Sequence, residues 1–448
     1  MGAPSIMANY NKVNYYEVTP KIVRTKKTTR ISIKQKYITK SPHFELDSLY
    51  FVQVAPVMDF ELDEYGFGKP VLVLVEAQNG EIVFDYYFES EQDYILSVWK
   101  QDENGENRVV VLKTLIYALD EDLYDLVPLK GNTHLHSCYS DGLEAPAQHI
   151  SNAFRVGFDY IALTDHNNYM GSLAAREIME RLSFTKAQKE LTVLTGEEFS
   201  CSYQPMHIIS LGASKAIDKE FYLKENTPVF ENKQEQINWI MEQLNKLCDE
   251  IHKHNGVAVL CHPYWKPIEN WFRKDAPEGL VKRFMESGKI DAYELVSGSP
   301  KGETHVSRMQ HQLALEVMLQ ANKKFALLGQ SDSHIVSEEN ENCIFPYRYT
   351  IAFCRQNTKD DILDAIKNGL TVAVEENDGR CDYYGSLRLI KFCRFLESEY
   401  FKKARAVKNM YHYAVEMCIT SSIEDGKRLF DALDSVKLFG YADLKEKN

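Results

Sequence analysis

The chain carries a set of histidine, aspartate and glutamate side chains that stand where short apolar runs end. These runs lie in the segments THLHSCYSDG, IALTDHN, LTVLTGEEFS, MHIISLG, VAVLCHP and LLGQSDSH. The candidate metal ligands in them are His134, His136, Asp141, His166, Glu198, His207, His262, Asp332 and His334. Six imidazoles and three carboxylates are enough to bind several divalent ions. Mixed nitrogen and oxygen donors suit Zn, Mn or Fe better than Ca or Mg.

The spacing of two motifs places their ligands on the same side of a strand. His134 and His136 are two residues apart, as are Asp332 and His334, and side chains at i and i+2 point to one face. Glu198 can bridge two ions through its two carboxylate oxygens. The sequence therefore predicts a cluster of two or three divalent ions.

A single HxH motif is weak evidence, because a histidine at a strand end is frequently an ordinary packed residue. The whole set is stronger evidence, since we expect all of its members at the carboxyl ends of strands in one domain. Many buried polar groups would then converge without partners, which is costly unless they are paired or coordinate metal. We therefore interpret the protein as a metallohydrolase.

The elements that must position these ligands change character along the chain. Residues 1–129 contain short β-branched and aromatic runs such as YFVQVAPV, EIVFDYYF and DYILSVWK, separated by Asn-Gly turns. This pattern predicts a β-sandwich without chemistry of its own. From residue 130 short apolar strands alternate with helical patterns, which predicts βα units and a parallel sheet.

About seven such strands with intervening helices predict a distorted (β/α)7 barrel, a relative of the triose-isomerase barrel. The active site of such barrels lies at the carboxyl ends of the strands, where this sequence places its ligands. The periodicity predicts helices over residues 145–155, 236–254, 305–324 and 358–368. Amphipathic helices are expected after residue 380. The expected domains are residues 1–129 (sandwich-like), 130–380 (barrel) and 381–448 (helical).

Composition limits the class of partner and the compartment. The net charge of −13 argues against long duplex nucleic acid as the main partner, because backbone affinity comes largely from Lys and Arg. No apolar run reaches membrane-spanning length, and the first residues do not have the pattern of a signal peptide. The nine cysteines include no CxxC pair, which favours reduced thiols and a cytoplasmic location.

The order HxH, SDG, TDH, GxE, lone His, HP and DxH resembles the polymerase-and-histidinol-phosphatase (PHP) superfamily of metal-dependent phosphoesterases. The resemblance covers roughly residues 130–374. A β-sandwich ahead of the barrel is also similar to the branch that includes carbamate-ester hydrolases. The resemblance implies a distorted seven-stranded barrel with up to three metals.

The ligand sets that this resemblance implies can be stated ion by ion. The first ion would be held by His134, His136, Glu198 and Asp332. The second would be held by Glu198, His207 and His262. The third would be held by Asp141, His166 and His334. Many family members have histidine where this chain has Asp141, and Glu197 adjoins Glu198 and is an alternative ligand.

The charge of the cluster suggests a mechanism. Three divalent ions carry +6 and three carboxylates return −3, so the site favours an anionic substrate such as a phosphoester. A metal lowers the pKa of bound water from 15.7 to roughly 7. We hypothesise that a bridging hydroxide attacks phosphorus, with His134, His136, Asp332 and His334 acting through the metal-bound hydroxide.

Substrate specificity is expected from the loop PYWKPIENWFRKDAP, which directly follows His262. Trp265 could stack a base or ring, and Lys266 or Arg273 could meet a second phosphate. The alternative is that the aromatics cap the barrel mouth and the charges are solvated. His305 begins a predicted helix and could reach an anion.

The favoured function is hydrolysis of a phosphoester in a small phosphorylated molecule, a nucleotide or an oligonucleotide end. The second hypothesis is hydrolysis of a carboxylic or carbamate ester by the same cluster. The third is a non-catalytic binding or regulatory protein with a vestigial barrel, which the complete ligand set argues against. The expected partners are a small anionic substrate or a short nucleic acid, and no membrane. The sequence leaves the metal, the choice of mono- or diester and the oligomeric state open.

Overall fold

The structure of the protein was obtained as a computed structural model. It describes residues 15–36, 46–58, 68–102, 104–105, 107–182, 190–200, 206–218, 228–263, 278–297, 305–322, 324–337, 344–377 and 379–446. These residues form two compact units. The sheet unit comprises the described residues of 1–125, 391–400 and 439–448, and the barrel unit comprises those of 126–390 and 401–438.

The sheet unit contains eight strands and one short helix before residue 126 in its described part. They are β1 (Tyr16–Thr19), β2 (Ile22–Arg24), β3 (Lys27–Gln35), β4 (Leu49–Pro56), β5 (Val71–Glu76), β6 (Glu81–Phe88), β7 (Asp93–Gln101), β8 (Arg108–Leu119) and α1 (Glu121–Tyr124). One sheet has the order β1-β3-β6 and the other the order β2-β8-β7-β4-β5. Strand pairs are antiparallel except β2 with β8.

The two sheets bury their inner faces against each other. Alternate residues of β3 are buried, as expected for a strand with one wet face. Ile31 and Ile33 of β3 and Phe84 of β6 share one core with Val52 of β4 and Leu96 of β7. This arrangement is a β-sandwich, as the sequence predicts.

The barrel unit begins with β9 and continues with alternating strands and helices. Its strands are β9 (Val127–Asn132), β10 (Tyr160–Ala162), β11 (Thr192–Leu194), β12 (Gly196–Phe199), β13 (His207–Leu211), β14 (Val257–Cys261), β15 (Ala292–Val296), β16 (Ala326–Gly329), β17 (Arg348–Cys354), β18 (Thr371–Asn377) and β19 (Arg380–Tyr384). The helices from this point to the end of the described chain are α2 (Pro146–Val156), α3 (Met170–Arg181), α4 (Lys233–Lys253), α5 (Glu278–Glu286), α6 (His305–Gln320), α7 (Lys359–Lys367), α8 (Leu387–Leu396), α9 (Lys402–Thr420) and α10 (Ile423–Asp434). A π-helical turn (Glu397–Phe401) and a 3₁₀ turn (Tyr441–Leu444) complete the elements.

Seven of these strands close into a ring. One sheet has the order β11-β10-β9-β17-β18-β19 and the other the order β12-β13-β14-β15-β16. Two parallel bridges join the sheets, His166 to Glu198 and Leu135 to Ser333. The ring therefore runs β9, β10, β12, β13, β14, β15, β16 and back to β9, which confirms the distorted seven-stranded barrel.

One strand of the ring runs against the others. β13 is antiparallel to both β12 and β14, whereas β14 with β15 and β15 with β16 are parallel. The expectation that every ligand lies at a carboxyl end is wrong here, because His207 is the first residue of β13. A reversed strand presents its amino end at the rim where its neighbours present their carboxyl ends, so His207 still reaches that rim.

The helices cover the outside of the ring with apolar faces. α4 is capped by Asn232, whose side chain accepts from the backbone N–H of Glu235, and it buries Leu244, Leu247 and Ile251. α7 is capped in the same way by Thr358. Among the helices that the structure describes, none is long and apolar enough to span a bilayer.

Candidate metal centre

The candidate ligands stand on segments that leave the ring at one rim. His134 and His136 follow β9, and His166 follows β10. Leu135, between the first two, pairs with Ser333, between Asp332 and His334, so the i and i+2 ligands of both segments face inward together. The structure brings all nine predicted ligands into one cluster.

Glu198 lies at the centre of this cluster and is fully buried. Its two carboxylate oxygens face different imidazoles. Oε2 lies 3.2 Å from Nε2 of His134, 3.2 Å from Nε2 of His136 and 3.0 Å from Nδ1 of His166. Oε1 lies 2.8 Å from Nδ1 of His207 and 3.2 Å from Nε2 of His262. The two oxygens of one carboxylate thus face two different sets of imidazoles.

Asp332 is the second inner carboxylate. Its Oδ1 lies 2.9 Å from Nε2 of His136 and 3.2 Å from Nε2 of His134, and its Oδ2 lies 3.6 Å from Nε2 of His262. The backbone of Asp332 has φ +50°, a left-handed conformation that is uncommon for a residue with a side chain. Such strain is found where surrounding structure enforces it, frequently at functional sites.

Asp141 forms an outer, more open part of the cluster. Its Oδ1 lies 3.3 Å from Nε2 of His334, and its Oδ2 lies 3.7 Å from Nε2 of His166. The side chains of Asp141 and His334 are 56% and 36% exposed, whereas His134 is completely buried. The cluster therefore grades from a sealed interior to a rim that solvent reaches.

The predicted ligands form three groups of donor atoms that are compact enough to hold an ion each, and a fourth compact group, His134, Cys261 and Glu294, adjoins them. The inner group is His134, Glu198, His262 and Asp332. The bridging group is His166, Glu198 and His207. The outer group is His136, Asp141, His166 and His334. Compared with the sets that the family resemblance implies, His262 lies with the inner donors. His136 belongs to the outer group, but its Nε2 also faces the inner carboxylates Glu198 and Asp332.

Buried polar atoms without hydrogen-bond partners indicate that the cluster suits a cation. Among the described residues, Nε2 of His134, Nε2 of His136, Nδ1 of His166 and Oε2 of Glu198 are buried without a hydrogen-bond partner. Leaving such groups unpaired is costly, and four of them converge here. Divalent ions bound by these nitrogen and oxygen atoms would satisfy them.

The cluster shifts the pKa values of its members in opposite directions. Burial alone would lower the pKa of His134, but Asp332, Glu198 and Glu294 raise it well above its ordinary value. Burial also opposes the shift of His136, whose pKa the same two inner carboxylates raise to about 9. Burial would raise the pKa of Glu198, yet the neighbouring imidazoles hold it well below normal. The carboxylates therefore stabilise positive charge within the cluster.

Glu294 is a member of the site that sequence reasoning missed. It lies in the middle of β15, is fully buried, and places Oε2 2.9 Å from Nδ1 of His134. A carboxylate only accepts, so Nδ1 donates, and Nε2, which faces Glu198 and Asp332, is the nitrogen whose lone pair would bind a cation. The available signal was a carboxylate inside the otherwise apolar strand AYELV.

Asp165 fixes the turn that carries Asp141. Its carboxylate accepts from the backbone N–H and hydroxyl of Ser137, at 2.7 and 2.8 Å, and from the hydroxyl of Ser140 at 2.8 Å. A Cβ on Gly142 would lie 2.1 Å from the carbonyl oxygen of His136, so only glycine fits there. The SDG turn is therefore bound tightly to the ligand strand.

Glu197, the alternative to Glu198, lies outside all of the donor groups. Successive side chains of a strand point to opposite faces, and Oε1 of Glu197 accepts from the backbone N–H of Ile217 at 2.8 Å. Burial raises the pKa of Glu197 to about 7, against the lowering effect of that hydrogen bond. The structure thus directs Glu198, and not Glu197, to the cluster.

Cys261 lies beside His134 and Glu294, but its chemistry argues against a ligand role. Burial raises the pKa of the Cys261 thiol well above its ordinary value, and nearby carboxylates add to the effect. The thiolate that binds metal is therefore disfavoured.

The remaining histidines expected to be structural lie outside the donor groups, and Nε2 of His149 lies 3.1 Å from the backbone carbonyl oxygen of the candidate ligand His136. His149 contacts the carbonyl oxygen of Ala145, His252 pairs with Asp291, and His254 with Glu250. His412 contacts Ser151.

The side chains of the predicted substrate contacts lie outside the part of the chain that the structure describes. Trp265, Lys266 and Arg273 lie outside the described residues. His305 is the first residue of α6, but its side chain lies outside the described part of the structure. These assignments remain predictions.

Comparison with known proteins gives one family. The family model described as PHP domain matches residues 132–417, which is more than half of the chain. The match includes every candidate ligand.

Individual relatives are distant. The DNA polymerase/3′-5′ exonuclease PolX of Bacillus subtilis is 32% identical over 81 residues, which are 18% of this chain and 14% of that protein. A two-domain protein from Bacteroides vulgatus with a predicted PHP-like metal-dependent phosphoesterase is 20% identical, with a TM-score of 0.38, over 56% of this chain and 66% of that one. An amidohydrolase from Chromobacterium violaceum with bound sulfate and no metal is 18% identical, with a TM-score of 0.30, over 46% of this chain and 87% of that one.

Proposed function

The chain belongs to the PHP domain family of metal-dependent hydrolases, and we propose that it hydrolyses phosphoesters at the rim cluster. The observation that carries the proposal is the gradient of the cluster from sealed to open. The inner donors His134 and Glu198 are fully buried, whereas Asp141 and His334 are partly exposed. A phosphoryl group arriving from solvent would meet the outer donors first.

The residues fit two or three ions of Zn, Mn or Fe, with the three donor groups as the places that would hold them. When bound, such ions act as Lewis acids that lower the pKa of water from 15.7 to about 7 and neutralise charge on a phosphoryl oxygen.

The chain's own residues have separate tasks in this scheme. Glu198 holds donors of the inner and bridging groups at a fixed separation through its two oxygens. Glu294 keeps the proton of His134 on Nδ1, so that Nε2 faces the cluster. Asp332 adds a second carboxylate to the inner group, between His134 and His262. Preorganisation of these groups removes the cost of rearrangement during the reaction.

The charge of the site supports an anionic substrate. Asp141, Glu198 and Asp332 bring −3, while three divalent ions would bring +6, so the loaded site would attract anions. The net charge of −13 on the whole chain supports a small substrate over a long duplex.

The surface beside the outer group supports an organic substituent on the phosphate. Tyr139 lies in the turn with Asp141 and is exposed, and so is Leu143, whose backbone N–H donates to the carbonyl oxygen of His334 at 2.9 Å. These side chains offer apolar area next to the partly exposed donors. We expect a phosphorylated small molecule or nucleotide to bind better here than inorganic phosphate.

One observation favours a second candidate, hydrolysis of a carboxylic or carbamate ester. A β-sandwich precedes the barrel in this chain, as in the branch that includes carbamate-ester hydrolases. The same cluster would serve, but a neutral ester would gain less from its charge.

A substrate panel separates the two candidates. Protein loaded with Mn or Zn is assayed with nitrophenyl phosphate, bis-nitrophenyl phosphate and nitrophenyl acetate. We expect hydrolysis of a phosphate, and its loss in the Asp332→Ala, His334→Ala double variant. The control is His252→Asn, which removes a histidine of α4 outside the donor groups. Cleavage of the acetate alone, or phosphatase activity that survives in a folded double variant, would contradict the proposal.

A further inference from the structure

β5 is an edge strand of the sheet unit. It stands last in the order β2-β8-β7-β4-β5 and pairs with β4 alone among the described strands. Among the described residues, none pairs with the N–H and C=O groups along its other side. Such an edge is a template for pairing with another chain unless it is protected.

The side chains of β5 are apolar and exposed on both faces of the sheet. Val71 is 47% exposed, Leu72 54%, Val73 37% and Leu74 52%. Neighbouring residues in a strand point to opposite faces, so neither face is covered along this segment. Leu49, the first residue of β4, and Met58, two residues beyond its end, are also exposed and apolar.

The other edges in the described part of the chain have the usual protection. β8 pairs with β2 only from Tyr117 to Leu119, and the earlier part of its outer side carries Arg108 and Lys113 and lies beside a bulge in its pairing with β7. β2 is only three residues long, and β1 and β11 are also short. β6 carries Glu81 and Asp85, and β19 carries Arg380 and Asp382. Charged or short edges resist pairing, whereas residues 71–75 contain no charge, no proline and no bulge. An unprotected edge in a chain that protects its other edges indicates a partner.

Residues 71–75 of β5 read VLVLV in both directions, and this symmetry indicates that the partner is a second copy of this chain. The open groups of an edge strand belong to alternate residues, so residues of like parity face each other across an antiparallel pair. Centred on Val73, the pairing places Val71 opposite Val75 and Leu72 opposite Leu74 of the second copy. Valines then pack together on one face and leucines on the other. A two-fold interface requires such self-complementarity.

The ends of the palindrome set the length of the pairing. Pro70 lacks a backbone N–H and so cannot continue a ladder. In this register Glu76 faces Pro70 of the second copy, so no two carboxylates are placed opposite each other.

We propose that two copies of the protein associate through β5, so that their five-stranded sheets become one continuous antiparallel sheet. This inference is independent of the proposed function, because it rests on the sheet unit and its test measures mass.

Analytical ultracentrifugation across a range of protein concentrations tests the association. We expect a concentration-dependent dimer for the unaltered chain. Val73→Lys places two like charges on the two-fold axis and should leave only monomer. The control is Val109→Lys in β8, which β7 and β4 separate from β5 in the same sheet and where the valine is 44% exposed. It should dimerise as the unaltered chain does, and both variants should keep the circular dichroism of the folded protein.

A rescue experiment tests the register. Leu72→Asp alone should weaken the dimer at least tenfold. Leu72→Asp with Leu74→Lys restores it, because each aspartate then faces a lysine of the second copy. A monomer at all concentrations, or a dimer that Val73→Lys leaves intact, would overturn the association. Failure of the double variant to recover would overturn the register.

Discussion

Oε2 of Glu294 lies 2.9 Å from Nδ1 of His134, and both side chains are fully buried. The pair fixes the tautomer of an imidazole whose other nitrogen faces Glu198 and Asp332. Partners of this kind raise the basicity of a ligand and hold its ring in place. Glu294 is thus a positioning residue, which acts through His134.

Glu294→Gln is expected to weaken metal binding without unfolding the protein. The amide keeps the size of the side chain but loses the charge that orients His134, so the affinity for the tightest ion should fall about 10- to 100-fold. Competition with a chelator measures it. Glu250→Gln is a matched control, because Glu250 also pairs with a histidine, His254, outside the donor groups. An unchanged affinity in Glu294→Gln would contradict the role.

Glu198→Gln and Asp141→Asn are expected to differ in how much metal they lose. Glu198 contributes to the inner and bridging groups, whereas Asp141 contributes only to the outer group. Elemental analysis of purified protein should show most of the metal lost from the first variant and only the outermost ion lost from the second. Equal losses would show that the donors do not divide as the geometry indicates.

Gly142→Ala is expected to destabilise the ligand turn. The added Cβ would lie 2.1 Å from the carbonyl oxygen of His136, and overpacking of this kind costs about 1–3 kcal/mol. Thermal unfolding with and without metal measures the loss. Gly279→Ala in α5 is the control, because a Cβ there meets nothing within 4 Å. A Gly142→Ala variant as stable as this control would refute the steric argument.

Asp93 is expected to make the sheet unit less stable as pH rises. Burial raises the pKa of Asp93 to about 6, although Lys391 and Arg394 oppose the shift. The folded state then binds more protons than the unfolded state between about pH 4 and 6, so stability falls through that window as pH increases.

Asp93→Asn should remove this dependence. At pH 7.5 it should raise stability by about 1–3 kcal/mol, and at pH 4 it should have little effect. Melting temperatures measured across that range test the prediction, with Asp85→Asn on the exposed face of β6 as the control. A gain that is the same at both pH values would exclude titration of Asp93 as its cause.

The sequence predicted the ring and the convergence of its ligands because strand ends share one rim. It did not predict the direction of β13, although the order of residues contained the signal. In MHIISLG the histidine precedes the apolar run, while in VAVLCHP it follows the run. A ligand on the leading side of a strand indicates that the strand is reversed.

Two other features could not be predicted from residues at strand ends: the role of Glu294 and the surfaces that the last helices cover. Glu294 was missed because it lies inside its strand and not at the end. The amphipathic pattern after residue 380 predicted helices, but amphipathicity does not name the surface that a helix covers. In the structure the described residues of 391–400 and 439–448 belong to the sheet unit, and those of 401–438 to the barrel unit.

The division of Glu198 between two groups of imidazoles links their affinities for ions. An ion held by one oxygen would make the other oxygen, which faces His207 and His262, a weaker donor for a second ion. The same free energy must act in the opposite order of loading, since such coupling is reciprocal. Stepwise filling with unequal affinities, and not independent filling, is the behaviour built into one shared carboxylate.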